Sequence, residues 1–170
     1  MITKPKAGEF AAYHEKYLEL VPDGELLGLL QDHFAKTFAF FSGIPEGKQN
    51  FRYANGKWSI KELLQHLIDV ERVFMYRALC FSRNEVTDLP GFDEDQYVAF
   101  SNAEERSWKS LLKEYECVRM STISFFEEIT EEMSQRQGRG NQQPTSVRAA
   151  GFIIIGHEIH HLRILAERYL

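Results

Sequence analysis

Two histidines four residues apart, His157 and His161, are where this 170-residue chain first shows a capacity for chemistry. On a helix they stack on one face, about 6 Å apart at Cβ. Ala150, Ile153 and Ile164 share that face, so both imidazoles point toward the core. Neutral imidazole is a good ligand for zinc, nickel or iron(II), and an i, i+4 pair is a ready chelate. A third ligand from a facing helix would complete a site of three protein groups with an open fourth position. His66 and His33 both fall on apolar helical faces and compete for that role. A lone histidine on such a face is ordinarily a satisfied core residue. Two imidazoles in an aliphatic helix are harder to dismiss, because an unpartnered buried polar group costs roughly 1–3 kcal/mol.

His157-Glu158-Ile159-His160-His161 also matches H-E-x-x-H, the zinc-peptidase signature. The downstream third ligand of those enzymes is missing from the nine residues after His161, which argues against a peptidase. Glu158 points about 100° away from His157 around a helix. It is a weak candidate for a general base, and with Asp69 a candidate to orient imidazole N–H groups. Each reads first as an ordinary solvent-facing or helix-pairing charge. Arg168 falls on the face of His157 and is a weak candidate to meet an anionic substrate. Tyr53, Trp58 and Tyr97 are candidates to line a cleft.

Four helical segments must position these residues. The first runs from about Gly24 to Phe41, with Asp23 as its expected N-cap and Gly43 as its stop. A second opens on the capping box Ser59-Ile60-Lys61-Glu62 and continues to about Phe81. His66 sits at the edge of its apolar arc, while Lys61, Gln65, Asp69 and Arg72 take the opposite face. The third is expected to open on another capping box, Ser101-Asn102-Ala103-Glu104, and to reach about Ile129. The fourth begins near Thr145-Ser146 and runs almost to Leu170. Its centre, Phe152-Ile153-Ile154-Ile155, is apolar all round, as expected of the most buried helix or of part of a subunit interface. Phe51-Arg52-Tyr53 is the only candidate strand. The pattern predicts an all-α four-helix bundle, one domain over residues 1–170. The second connection, residues 82–100, extends to about 60 Å, whereas a 23-residue helix is about 35 Å long. Helices two and three can therefore lie parallel, which allows an up-down-down-up order with long connecting loops.

Composition excludes several classes of function. A formal net charge of −5, with 20 basic residues scattered among 25 acids, argues against nucleic acid as a partner. No glycine-rich phosphate loop is present. The longest apolar run, Phe152 to Ile155, is too short for a membrane span, and no apolar stretch follows the N-terminal lysines as a secretory signal would require. With two cysteines, Cys80 and Cys117, a disulfide framework is excluded and a cytoplasmic location is expected.

Two stretches carry a family resemblance. Lys57-Trp58-Ser59-Ile60-Lys61-Glu62-Leu63-Leu64-Gln65-His66-Leu67 resembles the second-helix motif of the DinB-like superfamily of metalloenzymes, and Gly156-His157-Glu158-Ile159-His160-His161-Leu162 its fourth-helix H-x-x-x-H motif. Leu89-Pro-Gly-Phe-Asp-Glu-Asp and Thr130-Glu-Glu-Met resemble its linking segments. The likeness covers residues from about Pro22 to Leu170. It implies an up-down-down-up bundle in which His66, His157 and His161 hold a divalent metal ion, zinc or nickel ahead of iron or manganese. His33 and His160 do not match ligand positions. It further implies a small-molecule substrate, frequent homodimers and two readings of function. The first is transfer of a low-molecular-weight thiol to an electrophile, the second metal-dependent hydrolysis. A third reading, of another class and not drawn from the resemblance, is a non-catalytic metal-binding or stress-related bundle.

Overall fold

Capping side chains mark where each long helix begins, and two of the four stand where the apolar periodicity starts. In the computed structural model, which describes residues 1–170, the elements run in chain order as α1 (Glu15–Leu18), α2 (Leu26–Ser42), α3 (Ile60–Ser82), α4 (Glu94–Phe100), α5 (Trp108–Glu127), α6 (Glu131–Ser134), β1 (Gln137–Gly140), β2 (Gln143–Ser146) and α7 (Val147–Arg168). Ser59 and Glu62 form the expected capping box of α3: Ser59 Oγ accepts from the Glu62 amide and the Glu62 carboxylate from the Ser59 amide. Ser146 caps α7.

Two starts differ from expectation. Glu25, not Asp23, caps α2 by accepting from the Gly28 amide. Ser107, not Ser101, caps α5. Ser101 instead ends α4, and Asn102 turns the chain in the left-handed region at φ 56°. Asparagine tolerates that conformation, so the apparent box at residues 101–104 becomes a turn.

The four long helices form a ring in which α3 borders α5 and α7, and α2 borders the same two. Phe41 near the end of α2 meets Trp108 at the start of α5. Tyr169, just beyond α7, donates to the carbonyl of Trp58, just before α3. Apolar side chains collect in two clusters along this ring. One includes Leu26, Leu30, Phe74, Phe126 and Phe152; the other Phe41, Leu64, Ile68, Leu111 and Leu165. Near the junction each long helix contributes polar residues: Thr37, His66 and Glu71, Arg119, His157 and Glu158. The chemistry of the molecule lies in that middle layer.

The strands lie elsewhere than expected. Residues 51–53 form none; β1 and β2 pair as a short antiparallel hairpin, Gln137 opposite Ser146 and Gly140 opposite Gln143. Asn141 and Gln142 turn it with φ of 54° and 62°, the double left-handed turn that suits the twist of paired strands. Gly138 lets the hairpin lie on Phe81, whose ring would be only 2.0 Å from a Cβ there. Single bridges tie the hairpin to Phe10 and Leu89. It thereby fastens the N-terminal segment and the long α3–α5 connection, which includes α4, to one end of the bundle. No helix is long and apolar enough to cross a membrane.

Candidate metal centre

Facing turns of α3 and α7 bring three imidazoles together. His66 Nε2 and His161 Nε2 each lie 3.0 Å from His157 Nε2, and all three ligand atoms fall within 4.8 Å of one another. Tetrahedral ligands about 2.0–2.1 Å from a zinc ion stand about 3.3 Å apart, so small ring movements would seat a cation among them. His157 Nε2 carries at most one proton, so it cannot donate to both neighbours. That nitrogen offers either one proton or one lone pair, so one strong hydrogen bond at most can join it to its two neighbours, whereas a cation would satisfy all three nitrogens in the tautomer that leaves each Nε2 bare.

Burial keeps these rings neutral. It lowers His66 to about 4 and, with the neighbouring His66, His160 and Lys16, lowers His161 to about 3. His157 is pushed well below the ordinary histidine value, first by burial and then by His161 and His66. Neutral imidazole is the form that coordinates metal. No carboxylate accepts a hydrogen bond from any of the three rings, and His161 Nδ1 is buried without a partner.

Aromatic side chains shield the cluster. The Trp58 ring lies 4.6 Å from that of His66 between centroids, and Tyr17 presents itself edge-on to His157 at 5.4 Å. Tyr17 reaches there because residue 156 is glycine: a Cβ would come within 2.2 Å of the Tyr17 carbonyl oxygen. A mid-helix glycine costs about 1 kcal/mol against alanine, and here it permits close approach of α1. Two cavities end on the cluster from different sides. One, about 270 Å³, meets His157 and is lined by Tyr13, His14, Tyr17, Phe74 and Arg77 among others. The second, about 320 Å³, meets His161 beside Tyr53, Trp58, Asp95 and Tyr169.

The remaining candidates fall elsewhere. Glu158, read as a base, an imidazole partner or a surface charge, is 2% exposed and accepts from Thr37, Tyr115 and Arg119, each at 2.7 Å. Asp69 accepts from Gln65, not from a histidine. His33 is buried in α2 near Glu158, outside the histidine cluster, and His160 packs its ring on Tyr17. Arg168 is exposed and reaches the Tyr53 hydroxyl at 3.3 Å, beside the second cavity. Tyr53 and Trp58 line that cavity, whereas Tyr97 is exposed and stacks with Phe92. The face holding Lys61 and Gln65 is covered, not solvated: Lys61 donates to the Glu104 carbonyl and Gln65 accepts from Arg106. Sequence reasoning missed the N-terminal segment, which supplies Tyr13, His14 and Tyr17. Its one legible signal was Gly156, which interrupts the bulky run from Phe152 to Leu162.

Among curated protein sequences no significant match is found. In fold the chain is similar to YfiT from Bacillus subtilis, described as a probable metal-dependent hydrolase with an unusual four-helix bundle topology. The TM-score is 0.70 at 14% identity, over 97% of this chain and 92% of that one. It is also similar to a mycothiol-dependent maleylpyruvate isomerase, with a TM-score of 0.66 at 14% identity, covering 94% of this chain but only 63% of the isomerase. At such identities the likeness establishes a shared fold. The family profile of the DinB superfamily matches residues 29–165, a span that contains all three clustered histidines, and the chain belongs to the DinB superfamily.

Proposed function

We propose that His66, His157 and His161 bind one divalent metal ion, zinc or nickel before iron or manganese, and that the protein is a metal-dependent enzyme acting on a small molecule together with a low-molecular-weight thiol. The observation that carries this reading is the convergence of three neutral Nε2 atoms, without a fourth protein ligand, where two cavities end. A three-ligand site leaves a position for an exogenous group. A bound divalent cation supplies charge that stabilises a thiolate or hydroxide near neutral pH. The protein's own part is to present the three nitrogens unprotonated, to hold His157 under Tyr17 and His66 under Trp58, and to limit the approach of water. The thiol dependence of the isomerase with the same fold supports the transferase reading. The hydrolase description of YfiT supports a second, in which water takes the thiol's place. Glu158 is no peptidase base on either reading, because its carboxylate is occupied by Thr37, Tyr115 and Arg119.

The helix-end contacts favour an up-down-down-up order, with α2 and α7 running opposite to α3 and α5. Free Cys80 and Cys117 suit a reducing cytoplasm.

A conjugation screen tests the reading. Metal-loaded protein is given a small thiol and a panel of chromogenic electrophiles. Conjugates that require both metal and thiol, and that vanish in His161→Ala, are the expected result. Metal-dependent cleavage without thiol selects the hydrolase. Stoichiometric metal with neither reaction selects a non-catalytic role and overturns the enzyme reading.

A further inference from the structure

Three arginines are buried in this protein, and two of them are held by carboxylates. Arg119 meets Glu71 and Glu158, and Arg148 meets Glu9. Arg77 is the exception. At 4% exposure it makes no salt bridge; its one hydrogen bond runs from Nη2 to the Pro90 carbonyl at 3.1 Å. Its Nε has no partner, and a Cβ at Gly140 would lie only 2.7 Å from that atom, so bare backbone makes the room it occupies. The guanidinium carbon stands 5.3 Å from the Phe74 ring centroid. No carboxylate touches this buried guanidinium: Asp88 acts on it only from beyond contact distance and is paired with Arg139, so a ligand anion would supply the counter-ion it lacks.

Five buried side-chain atoms lack a partner in the whole molecule. Trp108 Nε1 lies at the bundle end, Arg119 Nη1 belongs to the ion-paired layer and His161 Nδ1 to the histidine cluster. The other two, Arg77 Nε and His14 Nδ1, belong to residues lining one cavity, the one that ends on His157. Lys16 lines the same wall; Glu94, the acid on the lining, is exposed. Burial, then Arg77 and Lys16, lowers His14 to about 4, so its ring stays neutral at the cavity wall.

We infer that this cavity takes a carboxylate-bearing substrate, whose carboxylate sits on Arg77, with Lys16 beside it and His14 within the same wall, and whose reactive end is directed toward His157. A guanidinium presents parallel N–H donors that match the two oxygens of a carboxylate. The inference rests on the metal-dependent reading for its reactive end; the anion site itself rests on Arg77, Lys16 and His14 alone.

Two measurements separate those parts. In the first, metal-free protein with isotope-labelled arginine is titrated with propionate and with neutral propionamide, following the Arg77 Nε–H resonance. Propionate should shift it and propionamide should not. An unmoved signal overturns the inference, whatever the metal does. In the second, cobalt-loaded protein is titrated with mercaptoacetate, mercaptopropionate and mercaptobutyrate, with uncharged mercaptoethanol for comparison. At least one charged thiol should bind about 10-fold more tightly, the size of one charge-assisted hydrogen-bonded pair. That advantage should disappear in Arg77→Gln, persist in part in Arg77→Lys and shrink in Lys16→Gln, whose exposed site spares the fold. Equal affinity for charged and uncharged thiols would refute the carboxylate site while leaving the metal centre standing. A propionate response without cobalt binding would do the reverse.

Discussion

His157 and Glu158 are neighbours in sequence, both buried in the same turn of α7, yet they meet opposite surroundings. Glu158 finds three donors at 2.7 Å, and its partner Arg119 is gripped again by Glu71 at 2.9 and 3.0 Å. Burial alone would lower Arg119, but Glu158 and Glu71 hold it well above the ordinary arginine value. The Tyr115 hydroxyl, buried and facing Glu158, is pushed well up and stays protonated as a donor. Only Arg119 Nη1 lacks a partner in that set. His157 finds two more imidazoles and no acid. A buried polar group whose partners are all supplied by the protein holds the fold together; one whose partners are missing awaits something from outside. The ion-paired side of α7 fixes its rotation about its own axis, and that rotation aims His157 and His161 at His66.

The largest effect is expected on the ion-paired side of α7. Arg119→Met leaves Glu71 and Glu158 as buried, uncompensated carboxylates and should destabilise the protein by about 3–5 kcal/mol, read from the urea midpoint. Glu158→Gln should also lower the midpoint while leaving metal content intact and revealing no proteolytic activity to lose. A variant of Arg119 as stable as the wild type would show that the layer is not the brace described here.

Acid is the next probe, and it acts on the histidines. His14 and His66 are lowered to about 4 and His161 to about 3 from 6.5. Between those limits the unfolded chain binds more protons than the folded one. The stability of the metal-free protein should therefore be full above about pH 6.5 and fall as pH drops toward 4, on the order of 3 kcal/mol per strongly shifted ring. Denaturant melts from pH 7 to 4 read this directly. Stability that held or rose with acid would mean the rings are already charged in the fold. Ser59→Ala is a smaller lesion, about 1 kcal/mol from the lost cap at the start of the helix carrying His66. It should lower the melting temperature without altering metal stoichiometry.

The long helices and the His157–His161 pair were legible because they depend on local rules: period 3.6, a capping box at Ser59-Glu62, and histidines four apart. Spacing left His66 in competition with His33, and only the family resemblance singled it out. The burial of Glu158 was not legible, since a glutamate beside a histidine pair carries no sign that Thr37, Tyr115 and Arg119 will meet it from two other helices. The hairpin escaped because residues 137–146 are polar and interrupted by Gly138, Gly140 and Pro144, leaving no alternation to read. Arg77 escaped for the same kind of reason. It sits in α3 like any helical arginine, and only the N-terminal segment and the residue 88–92 loop, both brought in by the hairpin, close a cavity over it.

Metal analysis of purified protein, after loading and removal of excess ion, decides whether the three histidines bind one ion. One equivalent of divalent metal is expected in the wild type and in the His14→Ala and His33→Ala variants. None is expected in His66→Ala, His157→Ala or His161→Ala, with helical circular dichroism unchanged because apolar burial, not the metal, holds the bundle. Full retention of metal in folded His66→Ala would contradict binding by the three histidines.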